Sequence, residues 1–238
     1  MNPGVNEFSS AIGAAISMIV TLDPGLVEIV LLSLRISLSA VIIASIVALP
    51  LGALIALQPF PGRRGVVVLL NALMGLPPVV VGLMVYLLLS RAGPLGPMGL
   101  LFTPTAMIIA QSIIVFPIIA ALSRQTIADL HEEYDEHLRS IGCTPMQSVL
   151  TLLRDGRYRL LTGIMAGFGR AIAEVGAVLI VGGNILHSTR VMTTTIALET
   201  SKGNLALALG LGLILVVLAL SVNGTALVIS DAAQRRYG

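Results

Sequence analysis

The histidines and acids between residues 131 and 137 come closest, by residue type, to a catalytic metal site. His131-Glu132 matches the start of a zinc-protease helix, in which two histidines four residues apart hold the metal. The next histidine is His137, six residues on. Six residues turn a helix by about 600°, or about 240° net, so the two imidazoles point apart. The spacing argues against a metal-dependent enzyme, and no metal ligands are predicted.

Arg170 and Glu174 form a second candidate, because they interrupt an otherwise apolar segment. Four residues apart, they share one face of a continuous helix. Ionisable groups within a membrane are costly unless they are paired or face water. Two interpretations stay open. The pair is an internal ion pair that fixes helix packing, or it lies on a substrate path where Arg170 attracts an anion and Glu174 weakens that attraction enough for release.

The segment from His187 to Asn204 is a third candidate, rich in hydroxyl and cationic side chains. Its candidate residues are Arg190, Thr193, Thr194, Thr195 and Lys202. Such donors suit a tetrahedral oxyanion. An ordinary hydrophilic loop is the alternative.

The composition shows what must position these residues. Of the 238 residues, 56% are hydrophobic and 11% are charged, against about 25% charged in soluble domains. The chain is therefore predicted to be an all-α membrane protein with a single domain, 1–238. Five stretches are long enough to cross a bilayer: Ile29 to Leu57, Gly65 to Ser90, Phe102 to Leu122, Leu160 to Leu186 and Leu205 to Ser230. Pro50, Pro77-Pro78 and Pro117 are expected to bend or break their helices.

The N-terminal segment, 1–28, lacks the features of a sixth span and of a signal peptide. Met1 to Leu22 contains no Lys or Arg, so the basic start of a signal peptide is missing. The uncharged stretch from Phe8 to Leu22 is 15 residues long, short of the roughly 20 that a span needs. We expect an interfacial helix, with an additional span as the alternative.

Basic residues predict the orientation. Nine fall in the loop between spans one and two, the loop between spans three and four, and the C-terminal tail, against four on the other side. Basic residues concentrate in cytoplasmic loops. The C-terminus and the segment 124–159 are therefore expected in the cytoplasm and the N-terminus outside.

The segment 124–159 holds eleven of the chain's Asp, Glu, Lys and Arg residues. Its first part has apolar residues at helical spacing: Ile127, Leu130, Tyr134, Leu138 and Ile141. Gly142, which readily takes a left-handed backbone, ends this helix. A second helix follows, with Thr144 as N-cap, Pro145 at the first position and Gln147 completing a capping box.

One face of the second helix is predicted to be apolar, formed by Met146, Val149, Leu150 and Leu153. A solvated loop is the simpler interpretation of so many charges. Such a loop needs neither a terminating glycine nor a capped apolar helix, so the pattern favours a docking device for a partner.

At this point the sequence resembles a family. Glu136-His137-Leu138 followed by Gly142 is similar to the EAA motif of permease subunits in ABC importers, although His137-Leu138 replaces Ala-Ala and Arg154-Asp155 replaces the closing Leu-Pro. The stretches "GRAIAEVGAVLIVGGNI" (Gly169 to Ile185) and "TTTIALETSKGN" (Thr193 to Asn204) resemble the tungstate branch of the oxyanion permeases. Molybdate and sulfate permeases share the fold and some of the context around Glu174.

The resemblance implies the type I importer permease fold with a coupling helix that begins at Pro145. The coupling residues are then Glu136, Gly142, Thr144, Pro145, Met146, Gln147, Val149 and Leu150. It also implies a homodimer in a prokaryotic plasma membrane, two ATP-binding subunits, and an extracytoplasmic binding protein facing the segment 187–204. The chain has no phosphate-binding loop, so ATP and magnesium are expected on the partner, with no cofactor here and no catalytic residues.

The predicted function is therefore ATP-driven import of an oxyanion, most of all tungstate, by alternating access. Molybdate and sulfate are the alternatives within the class. A channel or secondary transporter that needs no ATP is the alternative outside it. Secondary transporters usually show repeats in two halves, and none is seen here.

Overall fold

A computed structural model describes residues 3–140 and 142–237, and within these ranges every regular element is helical. The α-helices are α1 Pro3–Val20, α2 Pro24–Leu57, α3 Arg63–Met74, α4 Pro78–Leu89, α5 Pro104–Ser140, α6 Pro145–Asp155, α7 Arg157–Ile172, α8 Gly176–Gly182, α9 Met192–Ser201 and α10 Leu205–Tyr237. A short 3-10 helix, Gly96–Met98, lies between α4 and α5. The predicted all-α fold is confirmed.

The described chain has three helices that could each cross a membrane, or up to five spans if each bent pair of helices counts as one. Helices α2, α5 and α10 are each long and apolar enough to cross a membrane. Two further pairs meet that condition only together: α3 with α4, bent by 98°, and α7 with α8, bent by 58°. With each bent pair counted as one span, the total agrees with the sequence prediction.

The prolines behave in two ways. Pro77 and Pro78 lie where α3 ends and α4 begins, as predicted. Pro50 and Pro117 lie inside α2 and α5, which continue through them. Neither proline breaks its helix, and the bend that was the other expectation stays a prediction. Within a membrane, neighbouring helices and hydroxyl side chains compensate the backbone groups that a proline frees.

Helix α5 is longer than the predicted third span. Its 37 residues measure about 55 Å at 1.5 Å per residue, whereas the hydrocarbon core of a bilayer is about 30 Å thick. The span and the first helix of the charged segment are therefore one continuous helix. The charged segment thus continues from the third span without a break in the helix.

Contacts divide the chain into two units. One comprises Met1–Ser39, Pro78–Gln111 and Ile172–Ser221, and the other Ala40–Pro77, Ser112–Ala171 and Val222–Gly238. Within the first, Gly82 of α4 lies so close to α8 that a β-carbon there would be 2.7 Å from the Ala177 Cα atom. Within the second, Gly167 of α7 lies equally close to Ile119 of α5. The single domain inferred from the sequence stays a prediction.

The N-terminal helix α1 packs against the rest of its unit. Ala15 is fully buried and faces Gly210 of α10. The Asp23 carboxylate accepts a hydrogen bond from the Leu26 N–H at 3.0 Å, which caps the start of α2. The turn between α1 and α2 therefore follows directly on the uncharged stretch that ends at Leu22, and the interfacial position of α1 stays a prediction.

Gly52 marks the closest approach of α2 and α5, and we expect Gly52→Ala to separate them. A β-carbon at Gly52 would lie 2.6 Å from the Ala120 carbonyl oxygen and 2.8 Å from the Ser123 Cβ. The first is backbone, which cannot turn aside, so the variant should lose about 1–3 kcal/mol of stability. Thermal unfolding of the purified protein measures this. Gly212→Ala is the control, because nothing described lies within 4 Å of its β-carbon position.

Candidate docking site

The docking site begins where α5 ends, at a left-handed glycine. Gly142 has a φ of 69°. Its N–H donates to the Arg139 carbonyl at 3.0 Å, and the Cys143 N–H donates to the Leu138 carbonyl at 3.0 Å. These two bonds form a Schellman motif, which satisfies carbonyls that the helix end leaves open. The predicted termination at Gly142 is confirmed.

Helix α6 begins with the predicted capping box. The Gln147 N–H donates to the Thr144 hydroxyl at 3.4 Å, and the Thr144 N–H donates to the Gln147 side-chain oxygen at 2.8 Å. Pro145 occupies the first helical position. These contacts fix the direction in which the chain leaves Gly142, because they satisfy two of the open donors at the helix start.

The predicted apolar stripe of α6 is divided between two faces. Val149 is buried, and Leu153 packs beside it. Met146 and Leu150 are 67% and 72% exposed. The prediction of one free stripe of four residues is therefore wrong, because α6 uses half of it to bind its own chain. The apolar side chains of this stripe that stay exposed are Met146 and Leu150, one helical turn apart.

The inner face of α6 rests on a cluster formed by three other helices. Its buried members are Ala53 and Ala56 of α2, Ile127, Leu130 and Leu138 of α5, Val149 and Leu152 of α6, and Leu160 of α7. Gly156 lies directly against it, since a β-carbon there would be 2.5 Å from the Leu130 Cδ1. Side chains that exclude water on this scale hold a short helix in place.

The acidic residues of α5 lie mostly on the surface. Glu136 is exposed, and Asp135 pairs with Arg139 through two contacts of 2.9 Å. Arg159 at the start of α7 lies 3.4 Å from Glu133. Exposed pairs of this kind add little stability. Tyr134, predicted on the apolar face with Ile127 and Leu130, is exposed, and Ile141 lies outside the described residues.

Arg170 and Glu174 do not share a helix, which corrects the sequence interpretation. Helix α7 ends at Ile172 and α8 begins at Gly176, so Glu174 lies in the break between them. Glu174 is 3% exposed, and its Oε1 accepts a hydrogen bond from the Ala177 N–H at 3.2 Å. The carboxylate thus caps the start of α8, whereas Arg170 is partly exposed near the end of α7.

The predicted hydrophilic loop is largely the helix α9, and its threonines face inward. Thr193, Thr194 and Thr195 are at most 5% exposed. Their hydroxyls donate to the Glu174 carbonyl at 2.7 Å, the Asn184 side-chain oxygen at 2.9 Å and the Val191 carbonyl at 2.7 Å, respectively. In this conformation the three hydroxyl protons are therefore engaged within the fold, where the sequence analysis expected open donors.

The two cations of this segment lie in different surroundings. Arg190 lines a cavity of about 160 Å³ whose wall also carries Asp23, Glu28 and His187. The negative charges of the Asp23 and Glu28 carboxylates disfavour the binding of an anion in that cavity. Lys202 contacts the Glu199 carboxylate at 2.9 Å. Its hydrogen bond, with a second from Asn204, lowers the pKa of Glu199 below its usual range. This pairing stabilises the fold at neutral pH and is lost as acid protonates the carboxylate.

The comparison with known proteins decides the class. Residues 48–235 match the family described as binding-protein-dependent transport system inner membrane component. The chain belongs to this family. The match begins near the end of α2 and ends inside α10, so it covers the last part of the first span, the other four spans almost completely, and α6.

Several relatives of this permease carry substrate names. A probable anion ABC transporter permease of Haloferax volcanii is 39% identical, over 90% of this chain and 94% of its own length. The tungstate uptake system permease TupB of Peptoclostridium acidaminophilum is 41% identical, over 80% and 84%. The sulfate transport permease CysW of Synechocystis is 26% identical, over 85% and 77%.

A solved structure confirms the fold of the permease. The MetNI methionine ABC transporter, in inward-facing conformations, contains a chain that superimposes with a TM-score of 0.71 at 18% identity. The superposition covers 91% of this permease and 98% of that chain. The predicted type I importer permease fold is thereby confirmed.

Sequence reasoning missed the residues that hold α8 and α9 together. Thr189 donates to the Gly182 carbonyl and accepts from the Ile185 N–H at 3.0 Å. Ser33 of α2 accepts from the Met192 N–H at 2.8 Å. No signal in the sequence pointed to the second contact, because partners 159 positions apart cannot be paired from one sequence.

We expect Thr193→Val to destabilise the permease by about 1–3 kcal/mol. The valine keeps the shape but removes the hydroxyl that binds the Glu174 carbonyl, so a buried acceptor loses its donor. Thermal unfolding of the purified protein measures the loss. Thr200→Val is the matched control: its hydroxyl bonds the Ile196 carbonyl on the same helix at the exposed surface. An equal effect in both variants would contradict the argument.

Proposed function

We propose that this permease is the membrane-spanning subunit of an ATP-driven importer of an oxyanion, and that the preferred anion is tungstate. Identity of 39–41% to permeases named for anion and tungstate uptake, against 26–31% for permeases named for sulfate transport, carries the proposal. The family description adds a binding protein as the source of the substrate.

The mechanism assigns one role to α6 and another to the segment 187–204. Two copies form the pore, and an ATP-binding subunit docks on the α6 of each copy through Met146 and Leu150. Closure of those subunits on ATP moves the α6 helices and converts the spans between inward-facing and outward-facing states. ATP and magnesium are held by the partner. The binding protein delivers the anion to the exposed side of the segment 187–204.

The other predicted coupling residues contribute through the shape of the segment that leads into and forms α6. They are Glu136, Gly142, Thr144, Pro145, Gln147 and Val149. Gly142 and the capping box set the direction of α6, and Val149 packs it against the cluster beneath it. Glu174 caps the start of α8, and Arg170 and Glu174 stay the candidates for the translocation path or for an internal ion pair. In the segment 187–204, Arg190 and Lys202 are the candidates for contact with the binding protein, while the three threonines hold α9 in place.

The substrate is tested by calorimetry of the partner binding protein against tungstate, molybdate and sulfate. We expect tungstate to bind tightest, and uptake into vesicles that contain the whole complex to follow the same order. Equal binding of sulfate would remove the tungstate assignment. Uptake that proceeds without the ATP-binding subunits would favour a channel or secondary transporter.

The chain's single cysteine tests the orientation. Cys143 lies between Gly142 and the α6 cap and is partly exposed. We propose that this side of the membrane is the cytoplasm, with the C-terminus there and the N-terminus outside. A thiol reagent that cannot cross membranes should then label inside-out vesicles and spare right-side-out ones. Labelling of right-side-out vesicles would reverse the orientation.

A further inference from the structure

The corner between α2 and α3 leaves the end of α2 short of backbone donors. The linking segment contains Pro59 and Pro61, which have no N–H, followed by Gly62 with a φ of 85°. The last carbonyls of a helix need partners from outside the helix. At this corner the chain itself can supply few.

Arg63 supplies two of them. Its Nε donates to the Ile55 carbonyl at 2.7 Å, and its Nη2 donates to the Ala56 carbonyl. A guanidinium is a rigid fork that binds two acceptors at once, whereas a lysine ammonium is a single compact charge. The positive charge also favours the negative end of the helix dipole. Since α3 begins at Arg63, this residue fastens the start of α3 to the end of α2.

The turn of α2 that Arg63 holds is the turn on which α6 rests. Ala56 offers its carbonyl to Arg63, and its side chain belongs to the cluster beneath α6. In that cluster, Ala53 and Ala56 pack with Val149 and Leu152, the buried side chains of the docking helix. The turn of α2 that Arg63 binds and the inner face of α6 thus contribute side chains to the same cluster.

We propose that Arg63 is a positioning residue for coupling, which joins the docking helix α6 to α3 through the last turn of α2. The proposal rests on the proposed function, in which movement of α6 must reach the spans. Because α3 is the first half of the bent pair α3–α4, a firm corner passes the displacement of α6 into that pair. If the junction of α2 and α3 is not held by Arg63, α6 can move without displacing α3.

The test compares Arg63→Ala, Arg63→Lys and the neighbouring Arg64→Ala in vesicles that contain the complete importer. Arg64 is exposed and serves as the matched control for charge. We expect Arg63→Ala to lower the amount of anion imported per ATP hydrolysed by about fivefold or more, while hydrolysis and assembly persist. Arg63→Lys should import an amount of anion per ATP between those of Arg63→Ala and the wild type, because its ammonium cannot span both carbonyls as the guanidinium does. Arg64→Ala should match the wild type.

Cys143 gives a second measurement that needs no transport. Its side chain packs partly against the cluster beneath α6, so a loosened corner should raise its labelling rate in Arg63→Ala but not in Arg64→Ala. Wild-type anion per ATP together with wild-type labelling in Arg63→Ala would overturn the proposal. If Arg63→Ala does not assemble, the same two readings on Arg63→Lys decide. A wild-type complex that imports no oxyanion refutes the proposed function instead, and the labelling comparison still tests the corner.

Discussion

We expect the double substitution Met146→Asp and Leu150→Asp to abolish ATP-driven uptake while leaving the permease inserted in the membrane. Both side chains are more than 60% exposed, and the cluster beneath α6 does not contain them. The subunit should therefore fold as before. In the docked complex the two carboxylates would be buried without partners, at a cost of about 3–5 kcal/mol for each unpaired charge. A single unpaired carboxylate is therefore expected to weaken docking of the ATP-binding subunit by more than a hundredfold.

Uptake into vesicles and co-purification of the ATP-binding subunit measure this effect together. Leu150→Met is the control, because it keeps an apolar side chain of similar volume on the same exposed face. It should retain uptake near the wild-type level. Docking that survives both aspartates would show that α6 is not the contact, and the function assigned to this helix would then have to be withdrawn.

The end of α5 and the start of α6 could be predicted from the sequence because local rules determine them. Gly142, Thr144 and Gln147 each act on atoms within four residues of themselves, and all three behave as predicted. The direction of the apolar stripe could not be predicted in the same way. Helical spacing shows which residues share a face, but whether that face meets its own chain or a partner depends on α2 and α7, which pack there through long-range contacts.

The break at Glu174 was missed for a related reason. No proline interrupts the stretch from Ala171 to Gly182, so hydropathy predicts one helix. The structure instead divides it, and two contacts stabilise the break: the carboxylate of Glu174 caps α8, and Thr193 donates to the Glu174 carbonyl. The second contact comes from α9, which the composition alone presents as a hydrophilic loop. The same contact explains why the threonines are buried.

A second large loss of uptake is expected for Gly142→Pro. Proline fixes φ near −65°, whereas the chain at this position needs 69°. The substitution also removes the N–H that donates to the Arg139 carbonyl. Together these changes cost about 3 kcal/mol or more, and the chain avoids that cost by redirecting the segment that leads into α6. The docking helix is then displaced although every side chain of its exposed face remains.

Matched substitutions at position 142 distinguish the effect of backbone conformation on uptake from the effect of a larger side chain. Nothing in the described chain lies within 4 Å of a β-carbon placed on Gly142, so size alone is tolerated. Asparagine accepts the left-handed conformation more readily than other side chains, whereas valine resists it. Uptake should therefore fall in the order Gly, Asn, Val, Pro, with equal amounts of inserted protein throughout. If the proline variant transported as well as the asparagine variant, the angle set at this glycine would have no part in coupling.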